Sequence, residues 1–475
     1  MPGQGQIWSW ISFDVANQSF TLLINTVLFS IFFQSVIVRD PARDDTLWSL
    51  MGALSMGLVV LASPIAGAMG DARHARKAAL VGTGIACAIL TCALALLQPG
   101  QIWLAFLLYI PANFFFAIGE NFLASFLPTV AKPRAYARVS GFSWGVAYTA
   151  ALVLLVVTAG SMLALGLKDA AQWRPFFVFA GLWFLAFTIP TLLFLREAAP
   201  PHSPAAPNAT APHPIALLPE AFRRLTATVR SVRAHRDLAT MLVATLLYCT
   251  GTYTVIFFAS ILAKEFGFSD VALIIFIAVL TVAGIVGTAV TTLVQDRWGH
   301  RRTTSALLIV WIVASALMAY YAHQHGVHTR ALAASAALPS GPPLTPFPTW
   351  PMWALGCALG FGLGALGSAN RAFVAYLIPA TRTGEYFGFW GMVVKLAAVC
   401  TIPFGLAKDT WGTPAALVVL TAFFVAGLIA TRLVNEQRGA AAARAVEAEA
   451  NPEADTSTDG VNASAEGVNP PSRHV

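Results

Sequence analysis

Four ionisable side chains, Asp14, Glu120, Arg371 and Lys395, fall inside stretches that are otherwise apolar enough to cross a bilayer. Charge in hydrocarbon is costly, so each must face protein or a water-filled cavity. Three chemistries are open to them. Opposite charges can pair across a helix interface and hold one side of a pathway shut. A carboxylate can hold a substrate ammonium while Arg371 grips a substrate carboxylate with its guanidinium fork. A buried carboxylate can also carry a coupling proton. A fourth reading, plain interhelical glue, stays open beside these. Both acids lie in the N-terminal part of the chain and both bases in the C-terminal part.

Neutral polar residues accompany them. Asn17, Gln18, Thr21 and Asn25 follow Asp14 at intervals of three, four, seven and eleven residues, one stripe of a regular α-helix. Asn25 sits nearest the bilayer middle and is the preferred neutral substrate contact. Asn113 shares a face with Glu120, seven residues on, and Asn121, Tyr248, Tyr253, Asn370 and Trp390 add further hydrogen-bonding groups. Amides in membrane helices also serve as helix–helix hydrogen bonds, and that alternative applies to each of them.

The elements that must position these groups are membrane helices. The 475-residue chain is 57% hydrophobic and 11% charged, with mean hydropathy +0.69. A soluble domain of this size would lack the polar surface to cover itself. Apolar runs of about 20 residues give twelve spans, an all-α membrane fold. Six lie in residues 1–196 and six in 237–434; a cytoplasmic linker at 197–236 carries an amphipathic basic helix, and a disordered cytoplasmic tail covers 435–475. Lys and Arg concentrate in alternate loops, which places both termini in the cytoplasm of a multi-pass inner-membrane protein. The net charge of +7 therefore belongs to the membrane face and implies no nucleic-acid partner. No charged leader or cleavage site opens the chain, so the first helix directs insertion.

The loops repeat. Gly67, Asp71, Arg73, Arg76 and Lys77 follow the second span, and Asp296, Arg297, Gly299, Arg301 and Arg302 follow the eighth. In both, an Asp precedes two basic residues by five and six positions. Leu-Pro or Ile-Pro followed by Gly-Phe recurs as well, at Leu127-Pro128 with Gly141-Phe142 and at Ile378-Pro379 with Gly388-Phe389. One six-helix design used twice is the mark of a repeat-built transporter. The segment from His323 to Pro351 reads as a long external loop. Its three histidines, 323, 325 and 328, lack carboxylates to orient them, so no metal is expected. No nucleotide-binding loop or hydrolytic constellation is present; neither a cofactor nor enzymatic activity is expected.

The paired loops resemble the signature of the major facilitator superfamily. Within it, Phe13-Asp14-Val15-Ala16-Asn17-Gln18-Ser19-Phe20 resembles the first-helix motif of the vacuole-effluxer-like group. Asn370-Arg371-Ala372-Phe373, Leu377-Ile378-Pro379, Glu385-Tyr386-Phe387-Gly388-Phe389-Trp390 and Lys395 resemble that group's later motifs. The chain departs from it at Tyr248-Cys249-Thr250-Gly251, where the group has an amide and a carboxylate, and at Thr292 and Gly367. The resemblance implies two pseudo-symmetric six-helix bundles, with helices one, four, seven and ten around a central cavity. It also implies that Asp71 meets the start of helix eleven near Glu385 and locks the outward-facing state. The expected function is alternating-access, proton-linked transport of a small polar solute such as an amino acid, by a monomer in the lipid bilayer. Efflux of hydrophobic or cationic compounds, or a sensor or scaffold that keeps a transporter fold, are the alternatives.

Overall fold

A computed structural model of the chain describes residues 4–73, 76–130, 136–167, 169–197, 235–336, 348–379 and 383–450, with isolated positions between 223 and 233; at 64–73, 128, 136–138, 140–141, 296, 333–336, 383–385 and 447–450 it describes the backbone alone. Twelve helices are long and apolar enough to span a membrane, and no strand occurs among the described residues. In chain order they are α1 (Gln4–Val38), α2 (Asp44–Arg73), α3 (Arg76–Ala93), α4 (Ile102–Ser125), α5 (Tyr136–Leu165), α6 (Arg174–Phe194), α7 (Arg236–Glu265), α8 (Asp270–Trp298), α9 (His300–Ala336), α10 (Trp350–Leu377), α11 in two pieces (Thr383–Val399 and Ile402–Trp411) and α12 (Thr413–Leu433). A last helix, α13 (Glu436–Ala450), follows.

Tight turns join several of these without a loop. Gly299 (φ +88°) and Gly412 (φ +84°) adopt the left-handed backbone that lets α8 turn into α9 and α11 into α12. Small residues also set the closest packing. A Cβ on Gly364 would lie 2.0 Å from the Gly284 carbonyl oxygen, and one on Gly287 2.1 Å from that of Phe361, so α8 and α10 touch backbone to backbone. In the first six helices the filling is aromatic instead: Phe29 stacks on Tyr109 at 5.6 Å, with Trp48 and Phe177 beside it.

α1 is not a regular helix. Phe20–Val27 and Phe33–Val38 are π-helical, and the Thr26 hydroxyl and the Leu28 N–H reach back five residues to Thr21 and Leu23. The wider turn breaks the polar stripe of the sequence reading beyond Thr21. Two other expectations change. α9 continues to Ala336, so His323, His325 and His328 lie on a helix rather than in a loop. The tail expected to be disordered from residue 435 begins with the ordered helix α13. Of the linker's basic helix, most lies outside the described residues; Arg223, Arg230, Val232 and Arg233 are helical and Val232 is buried.

Candidate functional site

One pair of the intramembrane charges, Lys395 and Glu120, bridges the two sets of six helices. Lys395 of α11 reaches into the first set, where its Nζ lies 3.5 Å from the Glu120 carboxylate and donates to the Ala117 carbonyl at 3.2 Å. Its side chain is 13% exposed and that of Glu120 47%, so one partner is desolvated and the other reaches solvent. Asp14 accepts a hydrogen bond from the Ser143 hydroxyl of α5 and lies within electrostatic reach of Glu120. Tyr253 of α7 is also in reach of Glu120. Arg371 pairs with neither acid. It is exposed, its guanidinium carbon lies 5.9 Å from the Trp390 ring centroid, and Tyr148 of the first set is near enough to act on its charge. Among the described residues no carboxylate neutralises it. Two buried polar atoms, Asn17 Oδ1 and Trp390 Nε1, have no partner.

Most of the amides are used within their own set. Tyr109 donates to Asn25 Oδ1 at 2.8 Å, Asn25 Nδ2 to Asn113 Oδ1 at 3.1 Å, and Asn113 Nδ2 to Ser55 Oγ at 2.6 Å. All four residues are buried. The π-turn rotates Asn25 out of the Asp14 stripe and into this network. In the second set the Thr245 hydroxyl donates to Asn370 Oδ1 at 3.0 Å and lies 3.1 Å from the Tyr248 hydroxyl. Asn121 donates to Ser63 at 3.0 Å, and Gln18 only reaches the Asp14 carbonyl at 3.5 Å.

A second ionic cluster, which the sequence reading missed, joins the opposite ends of α2 and α11. Lys408 Nζ sits 2.6 Å from Asp45 Oδ2 and 3.2 Å from Glu265 Oε2; Gln34 donates to the other Asp45 oxygen at 2.6 Å. Asp409 accepts from the Thr46 N–H at 2.8 Å and the Asp45 N–H at 3.3 Å, placing a carboxylate on the positive N-terminus of α2. Carboxylate oxygens of Asp44, Asp45 and Asp409 lie within 4.8 Å of one another, and Lys408 offsets their repulsion. The backbones approach closely here, because a Cβ on Gly405 would meet Ser49 Oγ at 2.4 Å and the Asp45 carbonyl at 2.6 Å. Nearby, Trp48 Nε1 donates to the Phe257 carbonyl at 3.0 Å and Ser260 to that of Thr26. The available signal was the pair Asp44-Asp45 opening one span and Lys408-Asp409 closing another.

At the other end of the helices the repeat shows itself in geometry. Glu197, just past α6, accepts from the Arg76 N–H at 2.9 Å at the start of α3. Glu436, just past α12, accepts from the Arg301 N–H near the start of α9. The residues ending α6 and α12 match in backbone, Leu195 at φ −69°, ψ 128° and Val434 at φ −74°, ψ 129°. The second set continues into a docked helix: Arg438 of α13 grips Asp237 with two bonds of 2.6 and 2.8 Å. Gly67, Asp71 and Arg73 fall on α2, but their side chains, like those of Asp296 and Glu385, lie outside the described residues. Lys77 is half-buried and Arg297 exposed.

The chain is 22% identical over 445 residues to an uncharacterised MFS-type transporter, YxiO, of Bacillus subtilis, covering 90% of this chain and 94% of that one. It superposes on a D-xylose–proton symporter with a TM-score of 0.62 at 14% identity, over 92% of this chain and 98% of the other. The fold is that of the major facilitator superfamily, and the chain is a multi-pass membrane transporter of that type, not an enzyme. The family model described as vacuole effluxer Atg22 like matches residues 44–444. The chain belongs to that family. Autophagy-related protein 22-1 of Aspergillus fumigatus is 27% identical over 350 residues, 70% of this chain and 54% of the fungal protein. The chain thus spans about half the length of that relative.

Proposed function

We propose that the protein moves a small polar solute bearing a carboxylate, of the amino-acid kind, by alternating access across the inner membrane, as a monomer with both termini in the cytoplasm. The observation that carries this reading is Arg371, a guanidinium with no carboxylate partner among the described residues, exposed beside Trp390 and within electrostatic reach of Tyr148 in the first six helices. An unpaired guanidinium forks onto a carboxylate, and the neighbouring ring favours the cation in either state. Asp14, held by the Ser143 hydroxyl and by no base among the described residues, suits a group that gains and loses the coupling proton. Glu120–Lys395 links the halves and is the pair that separates as they rock.

The ion cluster on Asp45 and Lys408 closes the outer side in this reading, which makes the conformation inward-facing. Asp409 on the start of α2 is then the latch of this state. A thermal-shift screen of purified protein against amino acids, dipeptides, sugars, organic acids and cationic dyes tests the substrate class. Stabilisation of the wild type by amino or organic acids, and not of folded Arg371→Ala, is the expected result. Stabilisation by dyes alone, equal in both proteins, would overturn it.

A further inference from the structure

We propose that the basic cavity between α9 and α12, on the face that carries α13, binds the phosphate of an anionic membrane phospholipid. The cavity, about 190 Å³, is lined by Arg301, Arg302, Ser305, Ala306, Ile309 and Arg432. Arg302 and Arg432 make no ion pair or hydrogen bond among the described residues. Arg301 gives one guanidinium N–H to the Val434 carbonyl at 3.1 Å, and among the described residues no carboxylate bonds its guanidinium. Three cations line the cavity, and among the described residues none of their guanidinium groups is bonded to a carboxylate; the nearby Glu436 accepts from the Arg301 backbone N–H instead.

Ser305 supplies an independent sign. A hydroxyl on a helix ordinarily returns its proton to a carbonyl one turn back; on this helix Thr303 does so to Gly299 at 2.9 Å and Ser315 to Trp311 at 2.7 Å. The Ser305 hydroxyl is buried, in a residue 2% exposed, and has no partner. Its neighbour Thr304 is also unpartnered, but of the two only Ser305 lines the cavity. Phosphate oxygens accept from guanidinium and hydroxyl donors alike.

The surroundings favour a lipid over a free phosphate. Arg302, Ala306, Ile309 and Val313 recur at helical spacing along α9, as Arg432, Ile429 and Val425 do along α12. Ile309, Val313, Val425 and Ile429 are exposed. Each basic end therefore runs into an apolar stripe that faces acyl chains. A headgroup seated here would staple α9 to α12 beside the Glu436 contact that anchors α13.

Native mass spectrometry of the full chain, released from detergent with phosphatidylglycerol, phosphatidylcholine or inorganic phosphate, tests the assignment. The wild type should retain phosphatidylglycerol over phosphatidylcholine by about tenfold. Arg302→Gln with Arg432→Gln should abolish that preference, while Arg330→Gln, at the far end of α9, should keep it. Ser305→Leu leaves every charge in place and fills the cavity; it should also lose the preference, and it decides the matter if the double variant fails to fold. Equal retention of both lipids, undiminished preference in the variants, or retention of inorganic phosphate as strong as that of the lipid would each overturn the proposal.

Discussion

Lys408 Nζ, near the end of α11, lies 2.6 Å from Asp45 Oδ2 at the start of α2, with side chains only 12% and 4% exposed. Removing one member of a buried pair strands the other, at a cost of about 3–5 kcal/mol. Lys408→Met should lower the unfolding midpoint sharply, whereas Asp45→Asn combined with Lys408→Met should cost less than the two single changes added together. Thermal denaturation of the four proteins gives the coupling. In the transport reading, the single variants should also make a cysteine introduced at the buried Ser49, beside the cluster, reactive to water-soluble thiol reagents.

Gly405 tests the same closure by volume alone. Its missing side chain is what lets α11 approach the Asp45 carbonyl, and overpacking there should cost about 1–3 kcal/mol. Gly405→Val is expected to express and to lose transport in proteoliposomes. Gly388→Ala, on the same helix with open space around it, should transport normally.

Asn25 should prove structural. With Tyr109 and Asn113 both bonded to it, Asn25→Ala leaves buried groups unsatisfied at about 1–3 kcal/mol. The expected outcome is a lower unfolding midpoint with unchanged affinity for any ligand that stabilises the wild type. A change in affinity alone would return Asn25 to the substrate wall.

Arg438 holds α13 through its two bonds to Asp237. Arg438→Ala should free that helix, and limited trypsinolysis should then cut at Arg444 well before the membrane helices are attacked.

Much of this was legible in the sequence because bilayer physics is local. Twelve apolar runs, the repeated Asp-to-basic spacing and the intramembrane charges each need only a window of residues to be seen. Glu120 and Lys395 were visible as charges in hydrocarbon, and hydrocarbon leaves charges few places to go. What stayed hidden depended on long-range register. The π-turns of α1 turned Asn25 toward Tyr109, which no regular helical wheel anticipates. The Asp45–Lys408 contact joins residues 363 apart, and each alone looks like an ordinary loop charge. The helix α13 reads as an Ala/Glu-rich tail until Asp237 and Leu377, against which Gly439 packs closely, are brought beside it.

The most direct test of the central claim, that Arg371 anchors a substrate carboxylate, is a two-by-two binding comparison. Take the best-stabilising amino acid and its carboxamide analogue, and measure both against the wild type and Arg371→Gln. The account predicts that amidation weakens binding strongly in the wild type, on the order of tenfold or more for a lost charge-assisted pair, and hardly at all in the variant. Equal loss on amidation in both proteins would contradict it and place the carboxylate elsewhere.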